Sequence, residues 1–205
     1  MKGWEQIAKR IMDLAVSSAA LVFLSPLFAL IAIVVRFDSP GSVLFRQRRL
    51  GRNGRPFTLY KFRTMIEDAP DYRNPDGSTF NSPNDERVTR VGDVLRRTSL
   101  DELPQLFNVL IGAMSLVGPR PDQVDQARFY RGDEWRRNLV KPGITGLAQT
   151  SGRNAILRAQ RKQVDLEYVE RQSLLLDLKI LWRTIPYVFL SRDVYISSQV
   201  SESVR

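Results

Sequence analysis

The sequence contains no cysteine and no histidine among its 205 residues. Their absence excludes disulfide bonds, thiol nucleophiles, zinc sites built on these residues and imidazole acid–base catalysis. Any catalysis must therefore use carboxylates, lysine, arginine or hydroxyl groups. The lack of cysteine also leaves the redox compartment of the protein undetermined.

The chain also lacks the composition of a disordered protein or of a bundle of membrane spans. Hydrophobic residues make up 43% of it and charged residues 26%, so most of the chain is expected to fold in water. Its length suits one domain with a core of its own. The 31 Lys and Arg against 22 Asp and Glu give a net charge of +9. This excess indicates a polyanionic partner: nucleic acid, an anionic membrane surface or a phosphorylated substrate.

One long run near the N-terminus carries no charge. It covers the 22 residues 14–35, and as a single helix it would measure about 33 Å, enough to cross a bilayer. The run is longer than the apolar core of a cleavable signal peptide, so we expect it to be retained. Ser25 and Pro26 lie in its middle. Since proline lacks an amide donor, we predict a kink near Leu24 or Ser25, with the serine hydroxyl bonding a carbonyl one turn back.

Basic residues on both sides of this run favour a re-entrant hairpin over a straight span. Lysines and arginines at 2, 9 and 10 precede it, and arginines at 36, 46, 48, 49 and 52 follow it. A helix that bends at Pro26 and returns keeps both flanks on the cytoplasmic side. A kinked single span and a buried soluble helix are the alternatives. We therefore divide the chain into a membrane segment with its flank, 1–36, and a catalytic domain, 37–205.

The rest of the chain predicts an α+β fold that is mostly α. Two β-prone runs, 43–45 and 57–60, bracket Asn53-Gly54, a dipeptide that tolerates positive φ, and they predict a small β-hairpin. Amphipathic helices, expected at the membrane interface, and connecting segments account for the remainder. We predict a loop at 66–86, helices at 88–97, from Ser99 onward and at 155–190 until Pro186 interrupts the last, and a turn-rich connection at 141–146.

Ser99 to Glu102 allows two interpretations. Ser99 followed three residues later by Glu102 matches a capping box at a helix start. Alternatively, the adjacent carboxylates Asp101 and Glu102 point in different directions, so that one acts as a nucleophile. Carboxylate nucleophiles form acyl phosphates in phosphotransfer enzymes, and the lack of His and Cys adds weight to this option. Both interpretations stay open on this stretch alone.

Several cations support a phosphate-binding site near these acids. Lys61 and Arg63 come from the hairpin, Arg96 precedes the acids, and Arg120 follows in a rigid turn with Pro121. Such side chains suit the non-bridging oxygens of a diphosphate, and phosphate next to carboxylate favours Mg²⁺ as a shared cation. The turn at 119–121 is equally typical of a helix end with an exposed arginine, so its role stays open.

Taken together, these motifs resemble the bacterial sugar transferase family, the monotopic polyprenol-phosphate phosphoglycosyl transferases, in their short form. Their order and spacing carry the resemblance nearly from end to end. Ser42, Ala113 and the segment 84–87 depart from the family pattern, which weakens any inference about the sugar. The matching blocks are Lys9-Arg10 with Asp13, Ser25-Pro26, 38–41, 47–51, 61–65, 98–106, 118–121, 141–146 and the spaced Asp165, Tyr168 and Asp177.

The resemblance implies the transfer of a sugar phosphate from a UDP-sugar to polyprenol (undecaprenyl) phosphate, giving polyprenol-diphosphate-sugar and UMP at the start of surface glycan synthesis. It implies that Asp101 attacks the β-phosphate and becomes a covalent phosphosugar ester, with Mg²⁺ at the same carboxylate. Glu102 would likewise be essential. Arg96 and Arg120 would bind donor phosphates or nucleotide.

The resemblance also implies a monotopic protein on the cytoplasmic face of the bacterial inner membrane. Its expected partners are the UDP-sugar, polyprenol phosphate and the membrane. Downstream glycosyltransferases or a second copy of the chain are further candidates, and nucleic acid is not expected. A non-catalytic basic module that binds membrane surfaces is the alternative function, and a catalytically inactive family member is a third.

Overall fold

The structure is a computed structural model that describes residues 1–74, 80, 82, 84–151 and 158–189. Over these residues it is mostly helical, as predicted, and it contains two small sheets, of which only the antiparallel hairpin was predicted. The helices are α1 Gly3–Phe23, α2 Ser25–Asp38, α3 Arg90–Thr98, α4 Gln105–Leu110, α5 Leu147–Thr150, α6 Arg158–Arg171 and α7 Leu174–Phe189. The strands are β1 Leu44–Leu50, β2 Pro56–Phe62, β3 Ser115–Val117 and β4 Gly143–Thr145, and 3₁₀ turns cover Arg52–Gly54, Leu100–Glu102, Val124–Phe129 and Gly132–Leu139.

Helices α1 and α2 are separated by Leu24 alone and are bent by 61°. Pro26 lies in the first turn of α2, where its missing amide leaves no hydrogen bond unmade. The Ser25 hydroxyl donates to the Val22 carbonyl at 2.8 Å. The predicted kink and its repair by the hydroxyl are confirmed. Within the described ranges no single helix is long and apolar enough to cross a membrane, whereas this bent pair satisfies both criteria together.

Helix α1 buries a polar stripe and exposes an apolar one. Lys9, Asp13 and Ser17 are buried against the rest of the protein. Helix α2 instead packs apolar side chains, Ile31 and Val35, into a small core cluster with hairpin and α3 residues. The exposed apolar residues of α1 include Trp4, Ile7, Ile11, Leu14 and Val16.

The predicted hairpin is confirmed. Strands β1 and β2 pair antiparallel from Leu44 opposite Phe62 to Leu50 opposite Pro56. The turn uses positive φ at Asn53 (56°) and Gly54 (72°), as the dipeptide indicated. Asn108 of α4 then fixes β2, because its side chain accepts from the backbone amide of Tyr60 at 3.1 Å and donates to the Thr58 carbonyl at 2.7 Å.

The capping box predicted at Ser99 is wrong, and so is a helix that starts there. Ser99 has a φ of 58° at the end of α3, and its side chain makes no capping bond. The chain then forms the 3₁₀ turn Leu100–Glu102, and α4 begins at Gln105. A helix running on from Ser99 would place Pro104 in its interior, where proline lacks the required amide and its ring clashes with the preceding turn.

Two further predictions differ from the structure. The segment 141–146 contains β4, which pairs parallel with β3, Ser115 lying opposite Gly143. The two chains approach so closely that a β-carbon on Gly143 would lie 2.1 Å from the Gly118 nitrogen. Pro186 does not end α7, which continues to Phe189 with the proline on an exposed face. Parts of the predicted loop 66–86 and of the predicted helix 155–190 lie outside the described residues.

The main core joins the hairpin, α4, the β3–β4 pair and the last two helices. At its edge the turn Leu100–Glu102 packs against α3 and β2, and Asp101 is buried there. The acids are therefore held by packed elements on both sides. The buried residues of this core are Leu59, Leu106, Val109, Met114, Leu116, Val117, Tyr168 and Ile180.

Candidate active site

The 3₁₀ turn after α3 presents two adjacent carboxylates to one lysine. Lys61 Nζ lies 3.2 Å from Asp101 Oδ2 and 2.7 Å from Glu102 Oε1. The lysine comes from β2, next to the strand residues that Asn108 holds against α4. The hairpin and the turn thus meet at a single cation bound by both acids.

Arg120 completes the cluster from the other side of Glu102. Its Nη2 lies 2.6 Å from Glu102 Oε1 and its Nη1 lies 3.3 Å from Oε2, so the guanidinium binds the carboxylate in a bidentate manner. The Arg120 side chain is 40% exposed, against 17% for Glu102 and 11% for Asp101. The cluster is therefore buried on the carboxylate side and open to solvent on the arginine side.

The electrostatics push the pKa values of the two acids in opposite directions. Burial raises the pKa of Asp101, and the charge of Glu102 adds to that rise against the attraction of Lys61. Burial alone would also raise the pKa of Glu102, but Arg120 and Lys61 hold it well below the usual range. Glu102 is thus a fixed anion, and Asp101 is the more basic carboxylate. Neighbouring acids separated in this way are typical of catalytic pairs with different tasks.

The remaining predicted site residues lie around this cluster rather than in it. Arg63 donates to the backbone carbonyls of Ser39, at 2.7 Å, and Pro40, where α2 ends. Arg96 Nε lies 3.0 Å from Thr64 Oγ1. The structure thus brings Lys61, Asp101, Glu102 and Arg120 together and places the Arg63 guanidinium at the C-terminal end of α2.

Two arginines that sequence reasoning did not single out lie beside Arg120. Arg49 donates to the carbonyl of the buried Pro121 at 3.1 Å; burial, followed by the charge of Arg120, lowers the pKa of Arg49 to about 10. Arg137 donates to the carbonyl of Arg120 itself at 2.8 Å. The signal that could have identified Arg49 is the alternation of side chains along β1. Nothing in the sequence separates Arg137 from its neighbour Arg136.

The donor set fits a hard divalent cation shared with a substrate. In the ranges that the structure describes, no three acidic, His or Cys side chains are grouped closely enough to hold a metal by themselves. Mg²⁺ is commonly held by one or two carboxylates, with phosphate oxygens and water as its other ligands. Asp101 and Glu102 supply such oxygens, and Asp101 is the residue that we expect to hold the ion.

The sequence is similar to known bacterial sugar transferases over almost its whole length. The family model "Bacterial sugar transferase" matches residues 4–191. The exopolysaccharide production protein ExoY of Rhizobium meliloti is 46% identical over 200 residues, which cover 92% of this chain and 88% of that protein. The uncharacterized sugar transferase EpsL of Bacillus subtilis is 43% identical over 195 residues, 95% of this chain and 94% of EpsL.

A longer relative is named for its sugar donor and its lipid acceptor. The UDP-glucose:undecaprenyl-phosphate glucose-1-phosphate transferase of Klebsiella pneumoniae is 43% identical over 203 residues. These cover 95% of this chain but only 43% of the relative. The match over nearly the whole chain shows that this protein is an enzyme of the bacterial sugar transferase family.

Proposed function

We propose that this enzyme transfers a sugar phosphate from a UDP-sugar to polyprenol (undecaprenyl) phosphate, giving polyprenol-diphosphate-sugar and UMP. The names of its relatives, one an undecaprenyl-phosphate transferase and one an exopolysaccharide production protein, support this reaction as the start of surface glycan synthesis. The observation that carries the proposal is the pair of adjacent acids with opposite pKa shifts, held between Lys61 and Arg120.

In the first half-reaction, an Asp101 oxygen attacks the β-phosphorus of the donor. A bond forms between that oxygen and phosphorus, and the bond from phosphorus to the bridging oxygen breaks, so that UMP leaves with the oxygen and its electron pair. The raised pKa of Asp101 makes it the stronger nucleophile of the two acids. Lys61 and Arg120 are placed to neutralise the phosphate oxygens as charge develops.

In the second half-reaction, a phosphate oxygen of the polyprenol phosphate attacks the same phosphorus. The aspartyl–phosphorus bond breaks and Asp101 is regenerated as a carboxylate. Because the two substrates use one site in turn, we expect ping-pong kinetics. Mg²⁺ bound at Asp101 would supply positive charge against the phosphate oxygens.

Glu102 has an orienting role in this scheme. Its lowered pKa keeps it ionised at neutral pH, so it is not placed to donate a proton. Instead it holds the ammonium of Lys61 and the guanidinium of Arg120 close to Asp101. Arg96 and Arg120 would bind donor phosphates. Arg63 donates to the Ser39 carbonyl and the Pro121 carbonyl accepts from Arg49, so these two residues would support the site through backbone contacts.

The lipid substrate requires a site at the bilayer surface. We infer that α1 and α2 form a re-entrant segment, entering and leaving on the cytoplasmic side, and that neighbouring helices lie on the membrane. Apolar side chains that point outward support this arrangement, since Trp4 of α1 is 63% exposed and Trp182 of α7 is 76% exposed. Further exposed apolar residues are Ile7, Ile11, Phe107, Ile111, Leu175, Leu178 and Ile185.

The experiment is a panel of UDP-sugars incubated with the full-length enzyme in membranes, short-chain polyprenol phosphate and Mg²⁺. UDP-glucose comes first because relatives are named for it. We expect UMP release with at least one donor and, without acceptor, a sugar-phosphate adduct on the peptide that contains Asp101. If no UDP-sugar yields UMP, the proposed reaction is wrong; UMP release and product formation without an adduct would overturn only the covalent step.

A further inference from the structure

The backbone of segment 119–122, which carries Arg120, is held through its carbonyl oxygens. Prolines at 119 and 121 have no amide hydrogen, so neither residue is able to donate a backbone hydrogen bond. Four consecutive carbonyls accept instead, from donors in different parts of the chain. They are Pro119 O from Gly143 N at 3.0 Å, Arg120 O from Arg137 Nη2 at 2.8 Å, Pro121 O from Arg49 Nη1 at 3.1 Å, and Asp122 O from Leu50 N at 2.8 Å.

Arg137 is the most enclosed of the side chains that hold this segment. Only 3% of its side chain is exposed, and that of its ion-pair partner Asp165 is 1% exposed, the two lying 2.5 Å apart. The same guanidinium also binds the carboxylate of Asp122 and lies 3.2 Å from the Tyr130 hydroxyl. A group buried among these partners has no free surface to offer a substrate. Arg137 can therefore affect catalysis only through the residues that it holds, and of these Arg120 belongs to the active-site cluster.

The Arg120 side chain depends on this support. It is long and substantially exposed, and an arginine loses rotamer entropy when it is held in one geometry. Its own ion pair is with Glu102, at 2.6 Å, on the active-site side. The hydrogen bond from Arg137 fixes the Arg120 carbonyl. It therefore limits the positions from which the Arg120 guanidinium is able to reach Glu102 and a donor phosphate.

We propose that Arg137 is a positioning residue of the transferase, which clamps the Arg120 carbonyl so that the Arg120 guanidinium stays on Glu102 and faces the donor diphosphate. This inference rests on the proposed function. It assigns Arg137 no contact with substrate; Arg137 acts through the backbone of Arg120 alone.

The role requires an arginine rather than any buried cation. The planar fork of Arg137 reaches Asp165, Asp122 and the Arg120 carbonyl from separate nitrogens. A lysine would keep the positive charge beside Asp165 and Asp122, but its single ammonium would not span all three acceptors. Arg137→Lys therefore preserves charge balance in the interior while releasing the clamp.

The test is a double-mutant cycle on donor kcat/KM, using UMP release by the full-length enzyme in membranes. We expect Arg137→Lys to lower kcat/KM about tenfold in the otherwise unaltered enzyme and less than about twofold in an Arg120→Ala background. A purely structural role would lower the folded fraction in both backgrounds equally, so rates are taken per folded molecule. An equal loss in both backgrounds, or no loss in the first, overturns the proposal.

Arg136→Lys is the matched control. This arginine is adjacent in sequence, is 46% exposed and pairs only loosely with Asp133 (3.6 Å) and Glu170 (3.3 Å), so we expect unchanged rates in both backgrounds. If Arg137→Lys fails to fold, Asp165→Asn replaces it in the cycle, because it removes the charge that orients Arg137. The same non-additive loss supports the proposal and an additive one overturns it. If the unaltered enzyme and Arg136→Lys both release no UMP, it is the proposed function that has failed.

Discussion

Two clusters of buried charge in this protein use the same kinds of side chain for different ends. In the tethering cluster, Lys9 Nζ of α1 lies 2.5 Å from Asp177 Oδ2, while Tyr168 donates to Asp177 Oδ1 at 2.7 Å. Lys9 also donates to the Val117 carbonyl at 3.0 Å. Asp177 has no exposed surface, and both of its oxygens are bound within the protein.

The active-site cluster of Lys61, Asp101, Glu102 and Arg120 is only partly enclosed. Its carboxylates face inward, but the guanidinium of Arg120 reaches solvent. A closed network holds its elements together and has no capacity left for a ligand, whereas an open one keeps cationic charge available for phosphate. Both clusters contain buried acids. The exposure of one cation, Arg120, is what distinguishes the active-site cluster from the tethering cluster.

The largest expected effect is on catalysis in the open cluster. Asp101→Asn removes the nucleophile while keeping its shape, so we expect UMP release to fall by more than about 10³-fold and the adduct to disappear. Stability should not fall, because burial disfavours the charge of Asp101. Turnover assays and thermal unfolding in detergent measure the two quantities. Residual turnover of a tenth or more would exclude Asp101 as the nucleophile.

The closed cluster should show the opposite behaviour. Lys9→Met leaves Asp177 as a buried, unpaired carboxylate, and we expect a loss of about 3–5 kcal/mol in the free energy of unfolding. Chemical denaturation in detergent measures it. The turnover of molecules that remain folded should change far less than in Asp101→Asn.

The matched control combines Lys9→Met with Asp177→Leu. Removing both charges leaves no unpaired ion, so most of the lost stability should return. If the double variant is as unstable as Lys9→Met alone, the loss comes from packing of the lysine stem and not from the stranded charge.

Arg120→Ala should have an intermediate effect, because this cation is the most exposed member of its cluster. Losing charge-assisted hydrogen bonds worth about 1.5–3 kcal/mol would lower donor kcat/KM about 10- to 150-fold. Water can reach the vacated side of Glu102, so we expect stability to change by less than about 1 kcal/mol. A loss of stability comparable to that of Lys9→Met would place Arg120 with the closed cluster instead.

Local rules explain which features could be predicted from the sequence. The turn at Asn53-Gly54 and the kink at Pro26 follow from the backbone preferences of single residues, and both are present. Lys61, Arg120 and the two acids could be nominated by chemistry alone. Arg63 was nominated with Lys61 as a second cation from the hairpin. Strand β2 ends at Phe62, however, so Arg63 leaves the pleat and turns to the carbonyls of Ser39 and Pro40.

The features that could not be predicted depend on contacts between distant parts of the chain. Strands β3 and β4 are three residues each and pair only because Gly118 and Gly143 allow their backbones to approach. Arg136 and Arg137 are chemically identical neighbours, yet one is on the surface and the other is buried behind Arg120. Only the packing of the 3₁₀ turn Gly132–Leu139 against α6 decides between them.

The smallest expected effect is the pH dependence of adduct formation and of stability that Asp101 causes. Because the pKa of Asp101 is raised above its ordinary value of 3.8, the acid limb of adduct formation should lie at a pH above that value, with rates falling about tenfold per pH unit below it. Glu102, whose pKa is lowered, stays ionised across this range.

The free energy of unfolding should depend on pH in the opposite direction to the rate. A raised pKa in the folded state adds stability at a pH below the unfolded value of 3.8, and this stability is lost as the pH rises through the folded pKa. Acidification should thus reduce adduct formation while increasing the contribution of Asp101 to the free energy of unfolding. Asp101→Asn should remove this pH-dependent contribution. If the stability profile in Mg²⁺-free buffer shows no Asp101-dependent change above pH 3.8, Asp101 is not shielded from water as the structure indicates.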